Sequence, residues 1–283
     1  MTQVTNQIEK KVSVQSILSQ ESVKTRFNDI LGKNSNAFIS SIISATKNNS
    51  GLADCEPYSV ISSAIMAATL NLPIQSNLGF AYIVPYNSKD ERGNYVKVAQ
   101  FQMGYKGYVQ LALRTSQYLN INATEIYEGE LISHNRITAE VEIDTTKKKS
   151  EKVIGYVAYF KLVNGFEKML YLTKEQVEKH GVKYSKSFNS KTSRWQMDFD
   201  SMALKTVLKL LLSKYGILSV DMQTAITIDQ SVIKDTETLD VEYVDVNERE
   251  EVKSTALNKI ESEQIEIFVT DAEKNLDEKA NKK

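Results

Sequence analysis

Residues 80–103 have the sequence FAYIVPYNSKDERGNYVKVAQFQM, and this stretch decides the fold. Aromatic and β-branched residues dominate both of its ends, at Phe80–Tyr86 and at Tyr95–Met103, and such residues favour strands. The polar residues 87–94 between them include Asn, Asp and Gly, which favour turns. The stretch therefore predicts a long antiparallel β-hairpin.

Segments on both sides of the hairpin show the apolar spacing of amphipathic helices. The predicted helices cover residues 13–31, 35–47, 57–72, 104–118, 173–180 and 195–215. Alternating apolar and polar residues predict further antiparallel strands at residues 121–127, 138–143, 153–163 and 168–172. Together these elements predict the α+β class, in which a hairpin and additional strands pack against helices.

The net charge of −1 conceals an uneven distribution along the chain. Residues 147–214 carry 15 Lys and Arg against 6 Asp and Glu, whereas residues 221–283 carry 8 against 17. A basic block suits a polyanion and an acidic segment can compete with it or recruit partners, but a solvated face with a solubilising tail explains the charges equally well. We expect a flexible N-terminus over residues 1–12, one domain over 13–220, and an acidic linker with a small C-terminal module over 221–283.

Few residues support catalysis or metal binding. Cys55 is the single cysteine, and His134 and His180 belong to no recognisable catalytic or zinc-binding spacing. Asp198 and Asp200 leave a divalent-metal nuclease as an alternative, although acidic residues in the first turn of a helix also favour the helix dipole. We therefore assign no catalytic and no metal-binding residue, and expect no enzyme.

Motifs that the sequence lacks bear on the cellular compartment and on the use of a nucleotide cofactor. No stretch approaches the roughly 18 apolar residues of a membrane span, and the N-terminus has no apolar core of a signal peptide. A single cysteine suits a reducing environment. No Gly-rich nucleotide loop of the Gly-x-x-x-x-Gly-Lys-Ser/Thr type is present. We expect a soluble cytoplasmic protein that uses no ATP.

A protein that binds single-stranded DNA needs cations that contact the phosphates. It also needs aromatic faces or clefts that receive the bases. Lys205 and Lys209 are four residues apart and share a helix face, while Gln100 and Gln102 project to the same side of a strand. Ordinary solvated flanks and rings packed in the core are the alternative interpretations. The candidate DNA-binding residues are Lys97, Gln100, Gln102, Tyr105, Lys106, Arg114, Lys186, Arg194, Phe199, Lys205 and Lys209.

Four parts of the sequence carry a family resemblance: the segment from Pro57 to Pro73, LGFAYIVPY at residues 78–86, AQFQMGYKGY at 99–108, and Trp195 with Phe199 and MALKT at 202–206. Together they resemble the RecT family of phage and prophage recombinases. The resemblance covers approximately Ser13 to Val220, and the acidic segment beyond matches no motif. The resemblance implies that the protein anneals complementary single strands without ATP. It also implies a core similar to that of the lambda Beta protein and of eukaryotic annealing proteins.

The resemblance also implies partners. These are single-stranded DNA, the annealed duplex intermediate, and further copies of the chain in a ring or helical filament within a bacterial host cell. A 5′-to-3′ exonuclease and a single-strand-binding protein are candidate partners of the C-terminal region, and Mg²⁺ would act only through the DNA. A structural DNA-coating protein remains the alternative. From charge alone, a chain that ends at Val220 is expected to keep or strengthen DNA binding.

Overall fold

A computed structural model describes residues 12–90 and 92–243. Its helices are α1 (Val14–Leu18), α2 (Glu21–Leu31), α3 (Ser35–Asn48), α4 (Ser50–Ala53), α5 (Pro57–Thr69), α6 (Tyr105–Arg114), α7 (Lys174–Tyr184), α8 (Arg194–Met197), α9 (Phe199–Tyr215) and α10 (Val220–Ile228). Its strands are β1 (Ala81–Lys89), β2 (Tyr95–Met103), β3 (Tyr118–Tyr127), β4 (Leu131–Asn135), β5 (Glu140–Ile143), β6 (Val153–Leu162), β7 (Glu167–Thr173), β8 (Val232–Asp235) and β9 (Asp240–Glu242). The predicted α+β class is confirmed.

The predicted hairpin is present as β1 and β2. The strands are antiparallel, and their register runs from Ala81 opposite Met103 to Lys89 opposite Tyr95. The turn is short because the Asp90 carboxylate accepts hydrogen bonds from the backbone N–H groups of Arg92 and Asn94, at 3.0 and 2.8 Å. Residues 87–89, which the sequence places in the turn, therefore belong to β1.

The central sheet has the antiparallel strand order β3-β6-β7. Side chains alternate along β6, so Tyr156, Ala158 and Phe160 enter the main core, against which α9 packs. On the other face, Val157 joins a small second cluster that the β4–β5 hairpin covers. The sheet is thus covered on one face by helices and, in part, on the other by a hairpin.

Several helix boundaries differ from those that the apolar spacing predicts. The predicted helix at residues 195–215 is broken into α8 and α9 at Asp198, where φ is −154° and the side chain accepts a hydrogen bond from the backbone of Ser201. The helix predicted over residues 173–180 does not end before Gly181, because α7 continues through this glycine to Tyr184. A Cβ at Gly181 would lie 2.5 Å from the Phe188 ring, so the glycine permits close packing inside the helix.

Residues 220–243 belong to the same core as the rest. Met222, Ala225, Ile228 and Ile233 are buried in the main hydrophobic cluster. The domain end expected at residue 220 therefore differs from the structure, because the composition becomes acidic there while the apolar spacing continues. The flexible N-terminus predicted for residues 1–12 lies, except for Val12, outside the described residues, as does the C-terminal module from residue 244 onward.

The N-terminal helices are tied to this last segment through Arg26 of α2. Its guanidinium donates to the Glu237 carboxylate at 3.1 Å and to the Thr236 hydroxyl at 3.2 Å. Within the described ranges, no helix has both the length and the apolar character needed to cross a membrane.

Candidate nucleic-acid interface

Asp229 lies at the centre of a largely buried group of polar and charged side chains. We call this group the Asp229 cluster, and its members are Asp229, Lys205, Lys209 and Tyr108. The carboxylate accepts hydrogen bonds from Lys205 Nζ at 3.3 Å and Lys209 Nζ at 2.7 Å. It also accepts from the Tyr108 hydroxyl at 2.9 Å and the Met103 backbone N–H at 2.8 Å. One side chain thereby joins the end of α10 to α9, α6 and the end of β2.

The sequence brings these groups together through local geometry. Lys205 and Lys209 are one helical turn apart on α9, and Asp229 is the residue that immediately follows α10. Burial alone would raise the pKa of Asp229, but the two lysines outweigh it and hold that pKa well below its usual range. Burial lowers the pKa of Lys205, although Asp229 opposes the shift. Both cationic side chains depend on one carboxylate.

A small cavity opens beside the Asp229 cluster. Its enclosed volume is about 30 Å³, and its wall includes His180, Tyr184, Trp195, Lys205, Lys209 and Asp229. Burial, together with the nearby Lys209 and Lys183, lowers the pKa of His180 to about 4, so the ring is neutral at pH 7. The rings of His180 and Tyr184 are 4.6 Å apart between centroids. The cavity therefore combines aromatic walls with two ammonium groups.

Residues 185–193 form a basic loop between α7 and α8, and an aromatic row holds this loop in place. Phe188 packs on Trp195 at 5.4 Å between ring centroids, Trp195 on Phe199 at 5.6 Å, and Phe199 on Tyr156 at 6.1 Å. The loop keeps Phe188 inside and its cations outside, since Lys186 and Lys191 are exposed.

The sequence predictions for Arg194, Phe199 and Lys186 point to this part of the surface. Phe199 is half-buried, and Lys174 Nζ lies 5.5 Å from its ring centroid. Arg194 begins α8, directly before the buried Trp195. We call the exposed cations Lys174, Lys186, Lys191 and Arg194 the basic face. Sequence reasoning missed Lys174 and Lys191, although both lie in the same positively charged block.

Gln100 and Gln102 do project to the same side of β2. The Gln102 amide donates to the Gln100 side-chain oxygen at 2.9 Å and to the Tyr86 hydroxyl at 3.2 Å. Gln100 is fully buried, and its amide donates to the Gln230 carbonyl. The pair therefore connects the hairpin to the segment after α10, and its contact with DNA stays a prediction.

Two other candidates already make contacts within the protein. Arg114 donates to the backbone carbonyls of Leu70 and Asn71 at 2.6 and 2.7 Å, where α5 has just ended. Lys97 forms an ion pair with Asp54 at 2.8 Å, and both groups are largely exposed. Such contacts stabilise helix ends and surfaces, and they leave the predicted DNA contacts of Arg114 and Lys97 untested.

Tyr105 and Lys106 begin α6, next to the hairpin. The Tyr105 hydroxyl accepts a hydrogen bond from the Ala123 backbone at 3.1 Å, and the ring is half-buried. Burial raises the pKa of this hydroxyl. Lys106 is exposed, with its stem beside Gly79. Of these two neighbours, Lys106 has the more accessible side chain for a phosphate contact.

The carboxylates of the nuclease alternative have structural partners. Asp198 accepts a hydrogen bond from the Ser201 backbone at the start of α9, and Asp200 accepts one from the Tyr156 hydroxyl. Burial and then Asp200 raise the pKa of Tyr156. Across residues 12–90 and 92–243, no three His, Cys, Asp or Glu side chains come together as a metal site. The geometry therefore explains both carboxylates without a metal.

Asp229 is the central residue that sequence reasoning missed. It was counted within the acidic segment, beyond the expected domain end. The available signal was helical spacing, because Met222, Ala225 and Ile228 recur at intervals of three just before it. That spacing predicts a helix packed on the core. In the structure, the end of this helix places Asp229 in the interior.

The α+β fold with a basic face on anchored aromatics has the features of a DNA-binding protein, and comparison with known proteins defines its family. The RecT family model matches residues 36–247. Protein RecT of Escherichia coli (strain K12) is 27% identical over 224 residues, which cover 78% of this chain and 81% of that protein. Protein YqaK of Bacillus subtilis (strain 168) is 54% identical over 214 residues, covering 76% of this chain and 71% of that protein. The chain belongs to the RecT family, and so to the DNA-recombination proteins of the single-strand annealing type.

Proposed function

We propose that this protein binds single-stranded DNA and anneals complementary strands without ATP and without covalent chemistry. Family membership supports the annealing reaction. The observation that carries the binding is the basic face, where Lys174, Lys186, Lys191 and Arg194 are exposed beside an aromatic row. Cations at adjacent positions neutralise successive phosphates, which supplies affinity without sequence preference.

The packing of the aromatic row supports one mode of binding to a DNA strand. Trp195 is buried and Phe199 is half-buried, so these rings support the surface rather than receive stacked bases. Binding then rests on phosphate contacts, and the bases remain available to a second strand. Fidelity comes from base pairing, while the protein aligns the strands.

The decisive experiment measures annealing directly. Complementary oligonucleotides, one carrying a fluorophore and the other a quencher, are mixed with purified protein and no ATP. We expect annealing faster than in the absence of protein. Binding with an unaccelerated rate would leave only the DNA-coating alternative. Shortened strands on a denaturing gel after incubation with Mg²⁺ would instead support the nuclease alternative and contradict our proposal.

The proposal extends to assembly and partners. We infer that copies of the chain assemble on DNA as a ring or helical filament in the cytoplasm of a bacterial host cell. A 5′-to-3′ exonuclease and a single-strand-binding protein are proposed partners of the region after residue 220, most of which lies outside the described residues. No cofactor is required in this proposal, and Mg²⁺ acts only by screening the DNA strands.

A further inference from the structure

The Asp229 cluster contains more positive than negative charge. Two ammonium groups, from Lys205 and Lys209, face the single carboxylate of Asp229, which gives a net charge of +1. Among the described residues that line the adjacent cavity, Asp229 is the only acid, and His180 is neutral at pH 7. Counted over its described residues, the cavity wall therefore carries more positive than negative charge.

This charge lies where water cannot fully stabilise it. Only 9% of the Lys205 side chain and 24% of the Lys209 side chain are exposed. A buried charge without a counterion is strongly unfavourable, because the desolvation of the ion is not repaid. An anion in the cavity would restore neutrality, so the cluster favours one.

The hydrogen bonds lead to the same conclusion. Asp229 already accepts four hydrogen bonds, from Lys205, Lys209, Tyr108 and the Met103 backbone. Each lysine ammonium has three N–H donors and uses only one of them on a partner within the described part of the chain. Further donors are thus present, while the carboxylate has no accepting position left for them.

We propose that this cavity binds one phosphate group, which Lys209 contacts directly while Lys205, the more buried of the two lysines, adds positive charge to the cavity wall. The cavity volume of about 30 Å³ exceeds the roughly 10–15 Å³ that one water molecule needs, so it has room for phosphate oxygens. The group is a backbone phosphate of single-stranded DNA or free phosphate. The first source rests on the proposed function, and the second does not.

His180 provides a reporter for this site. The chain has only two histidines, and the other, His134, lies on β4 against Tyr171. The charged and titratable groups around His180 are Lys205 and Lys209 from α9, Lys183 and Tyr184 from α7, and Asp229. An anion beside Lys209 offsets the repulsion that this lysine exerts, and it therefore raises the pKa of His180.

The experiment follows both histidine rings of the full chain by NMR during titration with inorganic phosphate, with chloride at matched ionic strength as the reference. We expect a saturable change at His180 and none at His134. Lys209→Gln should weaken the response by about tenfold or more, as when one partner of a charged hydrogen bond is lost. Lys214→Gln, a neutralisation at an exposed position on the same helix, should leave it unchanged.

Two results overturn the proposal: a flat His180 response to phosphate, as expected if Lys205 were neutral, or the same response in Lys209→Gln. A second titration, with a deoxythymidine oligonucleotide, identifies DNA as the source when it moves the His180 signal and competes with phosphate. Annealing is measured on the same preparation. Annealing with a flat phosphate response refutes the cavity alone, whereas a phosphate response without annealing refutes the proposed function alone.

Discussion

Asp229 pairs with two lysines and joins three other elements, so its removal tests the cluster at the scale of one residue. Asp229→Ala leaves Lys205 and Lys209 without a counterion in the interior. We expect the free energy of unfolding to fall by about 3–5 kcal/mol, as when one partner of a buried ion pair is deleted. Urea unfolding measures the change. Asp221→Ala, at an exposed position in the first turn of α10, is the control and should lower it by about 1 kcal/mol or less.

His180 makes the stability depend on pH. Its pKa is about 4 in the folded chain against an ordinary value of 6.5, mainly because the ring is buried. Between these values the unfolded chain binds a proton that the folded chain does not, so stability falls as the pH drops. We expect a loss of about 1–2 kcal/mol between pH 6.5 and pH 4, less than the roughly 2.6 kcal/mol of full linkage because the ring is partly exposed. Urea unfolding at several pH values measures it. His180→Gln should remove this slope and His134→Gln should keep it, whereas equal slopes in all three proteins would contradict the assignment.

Single residues also show how far sequence reasoning reaches. The spacing of Lys205 and Lys209 predicts a shared helix face, and the structure places both on Asp229. Their partner was not predictable from spacing, because it lies 20 residues further along the chain from Lys209 and meets α9 only after α10 has packed. The DNA contacts predicted for both lysines stay predictions.

At the scale of elements, local signals predicted what local forces determine. The β1–β2 hairpin is confirmed because strand propensity and turn residues agree within one short stretch. The predicted helix end was wrong where tertiary packing decides the boundary. Helix α7 continues through Gly181, and the Phe188 ring packs in the space that a side chain at this position would occupy. The same holds after Val220, where acidic composition concealed a helix with a buried side.

This last element leads to a prediction about truncation. Charge alone predicted that a chain ending at Val220 keeps DNA binding, but such a cut removes Met222, Ala225, Ile228 and Ile233 from the core. Burial of one large apolar side chain contributes about 1.5–3 kcal/mol, and domains are stable by only about 5–15 kcal/mol. We therefore expect the cut after Val220 to abolish cooperative thermal unfolding, followed by circular dichroism. A chain ending at Asp245 should unfold cooperatively, and equal melting temperatures for the two would contradict the packing described here.

At the scale of the whole molecule, the charge separation is smaller than the sequence suggested. Residues 221–283 carry a net charge of −9, but residues 221–243 account for −5 of it, with 1 basic and 6 acidic residues. Asp229, one of these acids, is buried against lysines and Arg26 pairs with another, Glu237. Residues 246–283 hold 7 basic and 10 acidic residues, a net charge of −3. The negative charge that can compete with DNA is therefore smaller than the net charge of −9 over residues 221–283 implies.

Removal of residues 246–283 tests this competition, because the residues of the main core and of the basic face all precede this segment. We expect affinity for single-stranded DNA to rise at about 50 mM salt and the gain to shrink by about 300 mM, since screening weakens the repulsion between separated like charges. Fluorescence anisotropy over that salt range measures both effects. Arg194→Gln is the contrasting variant: it removes a proposed phosphate contact, and the slope of log K against log salt should fall by about 0.7. If truncation abolishes binding at every salt concentration, residues 246–283 contribute to the interface itself, and the basic face does not suffice to hold a strand.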